Sequence, residues 1–169
     1  MPANEVDSDV TKQLDRVLGF FARVESKASF IFALDTGMLA LAALNLSSTD
    51  LGYWYVDVLA ALTLASIVGS LLFLYRCSFP QLKGGTNSLI YFREIAKLTE
   101  ADFIEKFRSR SEDSHTRDML GQVWRNAEIL KIKFDCLKVA FILTAVALIP
   151  WVGLLVSVSI LHSHLPLIK

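Results

Sequence analysis

Hydrophobic residues are arranged along this chain in two ways, as spaced stripes and as solid blocks. From Val10 onward, Val10, Leu14, Val17, Phe21, Val24, Ala28 and Ile31 recur at alternating steps of four and three. That is the spacing of a helix packed along its length on other helices. Asp9 is the expected N-cap, and the polar residues 1–8 are expected to fray. A second stripe, Leu120, Val123, Ala127, Leu130, Phe134, Leu137 and Phe141, has the same period. The solid blocks span 28–46, 53–75 and 139–161. Each is close to the roughly 20 residues needed to cross a hydrocarbon core of about 30 Å. No Pro or Gly-rich break separates the first stripe from the first block, so residues 9–46 read as one helix of about 57 Å. The expected fold is an all-α membrane protein with three transmembrane helices. Its helical cytoplasmic section is formed by extensions of the first and last spans plus short helices.

The connections carry their own signals. Ser47-Ser48-Thr49-Asp50 predicts a short outer turn that caps the second helix. The Pro, Gly and Asn content of Cys77–Asn87 predicts a loop. Ser88–Leu98 is a short apolar segment, and Thr99 followed by Asp102 is a capping-box variant that starts another helix. Phe103, Ile104 and Phe107 are its expected buried face. Ser109-Arg110-Ser111 is a second break. Pro150 falls inside the last span and predicts a kink. The first block lacks a small-residue cleavage site and follows a charged helical stretch, so it reads as a retained span rather than a signal peptide.

Charge gives the orientation. Sixteen of the seventeen Lys and Arg residues lie either before the first block or between the second and third. The positive-inside rule makes those regions cytoplasmic. Residues 1–27 are then a cytoplasmic helix continuous with the span 28–46. The span 53–75 leads to a cytoplasmic region 76–138, and the span 139–161 ends in an outer tail, 162–169. Tyr53, Trp54 and Tyr55 form an aromatic belt at the outer interface. The hydrophobic fraction is 53% and the formal net charge is zero, which gives no basic field for nucleic acid. Cys77 and Cys136 fall at the reducing cytoplasmic surface without metal-site spacing and read as buried small apolar residues.

Among candidate functional residues, Asp35 stands out as an ionisable group inside the first span. It continues the first stripe, as do Met38, Ala42 and Asn45, so Asp35 and Asn45 are expected to face other helices. Asp35 is expected to be protonated, to reach hydroxyls such as Thr63, Ser66 or Ser70, or to line a hydrated path between subunits. Small residues at four-residue spacing (Ala33 and Gly37; Ala61, Ala65 and Gly69; Ser66 and Ser70) suit close helix approach and a homo-oligomer. Cations and aromatics cluster at Tyr91, Phe92, Arg93 and Lys97, and again at Trp124, Arg125 and Asn126. Guanidinium suits phosphate oxygens, rings suit a base, and an amide reads a base edge. The expected ligand-binding set is therefore Tyr91, Arg93, Lys97, Trp124, Arg125 and Asn126. Lys83-Gly84-Gly85-Thr86 lacks the full phosphate-loop pattern, and His162 and His164 do not share a helix face. No catalytic residue, metal site or cofactor is expected, so the chain does not read as an enzyme.

Three stretches carry a family resemblance. They are Phe79-Pro80 followed by Ser88-Leu89-Ile90-Tyr91-Phe92-Arg93-Glu94-Ile95-Ala96-Lys97-Leu98-Thr99, with Phe103 and Phe107 beyond; Val17-Leu18-Gly19-Phe20 leading to Glu25-Ser26-Lys27-Ala28-Ser29-Phe30; and Gln122-Val123 with Asn126-Ala127. The chain resembles the Pycsar transmembrane effector family over about residues 12–160. The resemblance implies a bacterial anti-phage, abortive-infection effector in the inner membrane, N-terminus cytoplasmic and C-terminus periplasmic. It implies sensing of a cyclic pyrimidine mononucleotide, cCMP or cUMP, from a partner pyrimidine nucleotide cyclase, followed by loss of inner-membrane integrity. Residues 76–138 become the expected sensing region. With no β-barrel nucleotide domain in sight, the pocket is expected between helices or between subunits. The competing readings are a membrane adaptor that docks a protein partner and a holin-like or transport component without a ligand.

Overall fold

The computed structural model describes residues 3–79 and 85–164, with side chains described from Asp7 to Ser163 within those ranges. Residues 80–84, part of the expected loop, lie outside the described residues, and with them Lys83 and Gly84 of the Lys-Gly-Gly-Thr string. The described residues form five α-helices and no strand: α1 (Ala3–Asn45), α2 (Trp54–Ser78), α3 (Phe92–Ile95), α4 (Glu100–Arg108) and α5 (Glu112–His164). Three of them, α1, α2 and α5, are long and apolar enough to cross a membrane. The chain forms two compact units, one of Met1–Val24 with Pro80–Lys133 and one of Glu25–Phe79 with Phe134–Lys169.

The stripe on α1 is the buried line of that helix. Val10, Val17, Val24, Ala28, Ile31, Asp35 and Met38 are all buried. The helix starts earlier than Asp9, which lies within it and pairs with Lys12 at 3.4 Å. Asp9 is therefore not the cap, because helical hydrogen bonding already runs through residues 3–8. Asn45 is also corrected: it is exposed, and its side-chain amide donates to the Leu41 carbonyl at 2.8 Å. At its end of α1 the stripe has run off the packed face.

The stripe on α5 is displaced by one position. Of the expected residues only Leu137 is buried, whereas Leu120, Phe134 and Phe141 are exposed. The buried line instead includes Met119, Gln122, Lys133, Leu137, Ala140, Thr144, Ala147, Leu154 and Val158. Three of these are polar, so a search for apolar spacing settles on the neighbouring rail. The polar members have partners: Gln122 Nε2 donates to Ser88 Oγ at 3.1 Å, and Lys133 Nζ lies 5.9 Å from the Phe21 ring centroid.

In the unit containing Glu25–Phe79, three helices pack on one another. Met38, Ile67 and Ala147 form one cluster, with Leu39, Leu71 and Trp151 against it. Val56, Leu154 and Val158 form another. Thr144 meets Asp35 and Trp151 meets Met38, so residue numbers rise together along α1 and α5 and these helices run parallel. A Cβ on Gly69 would lie 3.2 Å from Leu143 Cδ1, and one on Gly153 3.4 Å from Leu59 Cδ2. Small residues thus do bring α2 and α5 close, at these two positions. Ala33, Gly37, Ala61 and Ala65 are exposed instead. The helix α5 continues through Pro150. Immediately beyond it, Trp151 Nε1 donates to the Met38 carbonyl at 2.9 Å.

The turn after α1 departs from a simple cap. Asp50 begins a single 3-10 turn (Asp50–Gly52), and the N-cap of α2 is Tyr53, which makes no side-chain cap. The buried Asp50 carboxylate accepts the Ser47 amide at 2.8 Å and has His162 Nε2 at 3.2 Å. The Ser47 amide, opposed by burial and aided by His162, holds this carboxyl below its ordinary value of 3.8. On α4 the Thr99 cap is present: its hydroxyl oxygen accepts the Asp102 amide at 3.2 Å. The face of α4 is a correction, because Ile104 and Phe107 are exposed and only Phe103 is half-buried. Cys77 is buried and Cys136 is half-buried.

Trp151→Phe keeps an aromatic ring but removes the bond to Met38 together with part of the indole's volume. It should cost about 1 kcal/mol, since interhelical hydrogen bonds in membrane proteins are of that order. Denaturant unfolding in detergent micelles would register this. The Asp50 contribution should be complete above about pH 3.8 and be lost as pH falls through its lower folded value. Asp50→Asn should therefore flatten the acid limb of a stability–pH curve, and an unchanged limb would assign that loss to other carboxylates.

Candidate functional site

A polar cavity of about 700 Å³ opens in the unit that holds residues 85–118. Its walls come from the segment 86–89, from α3 and the residues just after it, from α4, and from Arg110 and the start of α5. The segment is held by a few hydrogen bonds. Asn87 takes a left-handed conformation, φ 60°, which its short amide side chain tolerates. That turn buries Ser88, whose hydroxyl accepts the amides of Ile90 and Tyr91 at 3.2 and 3.0 Å and the Gln122 amide from α5. The Leu89 amide donates to Asp118 Oδ2 at 3.0 Å. The Asn87 amide donates to Glu94 Oε2 at 3.1 Å. Glu94 is ion-paired with Lys97, and this partner first, then the Asn87 amide, holds its carboxyl below the ordinary range.

Arg110 occupies the break between α4 and α5. Its Nη2 donates to the Ser114 carbonyl at 2.7 Å and to Asp118 Oδ2 at 2.9 Å. The side chain is only 8% exposed, and its buried Nη1 has no hydrogen-bond partner. A buried guanidinium nitrogen without an acceptor is costly, and an anionic oxygen is the group that would relieve it. Lys97, Lys106, Arg110 and Arg117 line the cavity with only Glu94 and Asp118 opposing them. Both acids are already engaged, with Lys97 and Arg110. Polar groups of Thr86, Asn87 and Ser114 complete the walls. The volume is within the roughly 300–1,000 Å³ of small-molecule sites. The arrangement suits a singly or doubly charged phosphate ester.

Of the residues singled out from sequence, Lys97 lines this cavity. Tyr91, Arg93, Trp124, Arg125 and Asn126 are not among its lining residues. Tyr91 is half-buried and stacks edge-on against Phe92, with ring centroids 5.0 Å apart. Trp124 is 61% exposed, and the Asn126 side-chain amide donates to the Gln122 carbonyl at 2.9 Å. Arg125 Nε lies 3.6 Å from where a Gly85 Cβ would stand. The residues missed were Ser88, Lys106, Arg110, Arg117 and Asp118. Arg110 carried a signal, a basic residue inside a helix break, where its fork can reach the carbonyls of the next helix's first turn.

A second polar constellation sits among the long helices. Asp35 is wholly buried. The Thr144 hydroxyl donates to Asp35 Oδ1 at 2.8 Å, and Ser70 Oγ lies 2.9 Å from the same hydroxyl oxygen. One carboxylate and two hydroxyls thus link α1, α5 and α2. Of the hydroxyls considered from sequence, Ser70 belongs to this chain through Thr144, while Thr63 bonds back to the Leu59 carbonyl at 2.8 Å. Asp35 Oδ2 is buried without a partner. Among the described residues no group of three or more His, Cys, Asp or Glu could hold a metal ion.

Long apolar helices define the chain as an all-α membrane protein with three candidate spans. It matches the family model of the Pycsar effector protein domain over residues 9–161, and it belongs to that family. Membership gives it a role in the anti-phage Pycsar system and a link to cyclic nucleotide signalling. No curated protein and no solved structure matches the chain.

Thr144→Val should cost about 1 kcal/mol by removing the shared hydroxyl. Ser70→Ala should cost less when added to Thr144→Val than alone, because the bond it loses is already gone. A double-mutant cycle in detergent unfolding measures this, and additive losses would show that the two hydroxyls are not coupled.

Proposed function

We propose that this chain is the membrane-acting arm of a Pycsar system, sensing a cyclic pyrimidine mononucleotide and impairing the bacterial inner membrane in response. The observation that carries the sensing role is the cation-lined cavity around the buried, incompletely satisfied Arg110. A cyclic mononucleotide, cCMP or cUMP, has one phosphodiester with two free oxygens. Arg110 Nη1, Lys106 and Arg117 supply donors for those oxygens. The Asn87 and Thr86 side chains offer hydrogen-bonding groups to a pyrimidine edge. The cavity lining contains no aromatic ring. In this reading the open indole of Trp124 stacks on a base only where a second copy supplies it, so Tyr91, Arg93, Trp124, Arg125 and Asn126 act at an interface of a homo-oligomer. The exposed small residues Ala33, Gly37, Ala61 and Ala65 would let spans of two copies approach.

In this proposal the partner enzyme is a pyrimidine nucleotide cyclase, and the distribution of basic residues supports a cytoplasmic 1–27 and 76–138 with 162–169 in the periplasm. Asp35 is the proposed gating element, its carboxylate joining three helices through one shared hydroxyl. An adaptor or a holin-like component would fit the helices equally, but neither calls for an anion-binding cavity.

The purified protein in detergent should be stabilised by cCMP or cUMP. Ligand at 100 times Kd gives about 2.7 kcal/mol. Lys106→Ala with Arg117→Ala should weaken binding at least about tenfold, since hydrogen bonds to charged groups are worth about 1.5–3 kcal/mol. If neither nucleotide shifts melting while the protein still depolarises cells that carry the cyclase, the sensing role is wrong. Toxicity without any cyclase would favour the holin-like reading, and no toxicity under either condition the adaptor.

A further inference from the structure

A second cavity, of about 600 Å³, lies between α1 and α5 in the unit that contains Glu25–Phe79 and Phe134–Lys169. Its chemistry is the opposite of the first. Ile31 and Leu137 are buried at its floor, while Phe30 (71% exposed), Phe134 and Phe141 (63% exposed) stand open at its walls. The remaining lining residues are Ser26, Lys27 and Lys138. No carboxylate lines it, and neither lysine forms an ion pair among the described residues.

The position of the two lysines is decisive. Lys27 is the last residue before the apolar block 28–46, and Lys138 the last before the block 139–161. α1 and α5 run parallel here, and the lysines stand about two turns before Asp35 and Thr144, which touch. Both cations therefore reach the same edge of the bilayer, one on each bank of an apolar groove. Lysines at helix ends lay their methylenes along hydrocarbon and hold the ammonium at the headgroup level. A water-soluble nucleotide would find too few donors between these phenyl rings. A second helix would cover the rings but leave two ammonium groups without counter-charge.

We propose that this groove seats an anionic phospholipid, with an acyl chain along Ile31, Leu137 and the open phenyl rings and the phosphate between Lys27 and Lys138. The lipid supplies both the hydrocarbon and the negative charge that the groove lacks. Basic pockets between spanning helices are a recurring form of such recognition. The site is distinct in residues and in chemistry from the Arg110 cavity, so it stands whether or not nucleotide binds there.

Native mass spectrometry of the full chain, released from micelles containing equal phosphatidylglycerol and phosphatidylcholine, tests this. The wild type should retain phosphatidylglycerol in preference, by about fivefold for each lysine. Lys27→Gln with Lys138→Gln should bring the two lipids to parity, with helix content unchanged by circular dichroism. Lys12→Gln with Lys131→Gln, an equal loss of charge outside the groove, should leave the preference intact. No preference in the wild type, or equal losses in the two double variants, would overturn the proposal. So would efficient disulfide cross-linking of Ser26→Cys between two copies in vesicles, which would make the groove a subunit contact.

Discussion

Within a bilayer no water is at hand to complete the hydrogen bonding of a buried polar side chain, so each such group must be answered by another helix or by its own backbone. That constraint fixes how α1, α2 and α5 meet. Thr144 donates to Asp35 and shares its oxygen with Ser70, and a rotation of any one helix by a single position would break the chain. Apolar packing alone would not be so selective, because lipid tails are as apolar as leucine and offer little reason for one helix face over another. Around the polar link, Met38, Ile67 and Ala147 interlock, and Trp151 ties α5 to the Met38 carbonyl. The small residues Gly69 and Gly153 give Leu143 and Leu59 the room this requires.

The same rule governs the cavity around Arg110 through a different reservoir. There the backbone of residues 87–91 has no helical partners of its own over several amides. Ser88, Glu94 and Asp118 accept those amides instead. Two of the three acceptors are carboxylates, and each is matched by a cation, Lys97 or Arg110. Fastening an irregular segment with charged acceptors brings cations to it, so a cation-lined cavity arises as a by-product of folding. Arg110 is committed through Nη2, and its buried Nη1 has no partner of its own.

What could be read from sequence follows the same division. The α1 stripe was legible down to Met38 because nearly all of its members are apolar, and even Asp35 could be placed by extending it. On α5, Gln122, Lys133 and Thr144 occupy the buried line, and an apolar search shifts to the adjacent rail. Helix starts were misplaced where the local hydrogen bonding departs from a side-chain cap, at Asp9 and at Asp50. The cavity was hardest to foresee. Its members come from four short stretches, each unremarkable alone, and only the loop geometry at Asn87 and Ser88 gathers them. The aromatic clusters caught the eye instead because base stacking has a strong compositional signal, whereas a phosphate site made of Lys and Arg resembles any solvated surface.

Magnitudes bear on whether one small anion is enough to move such a protein. Shifting an equilibrium from 1:99 to 99:1 takes differential binding of about 5.5 kcal/mol. A charge-assisted hydrogen bond is worth about 1.5–3 kcal/mol, so two or three made in one state and absent in the other would suffice. Arg110 Nη1, Lys106 and Arg117 provide that number without any contribution from the base. In the proposed function, sensing of the phosphodiester and discrimination of the pyrimidine are separable tasks. The first belongs to the cations of the cavity, and the second falls to neutral groups whose hydrogen bonds reject a wrong base by leaving a donor or acceptor unpaired.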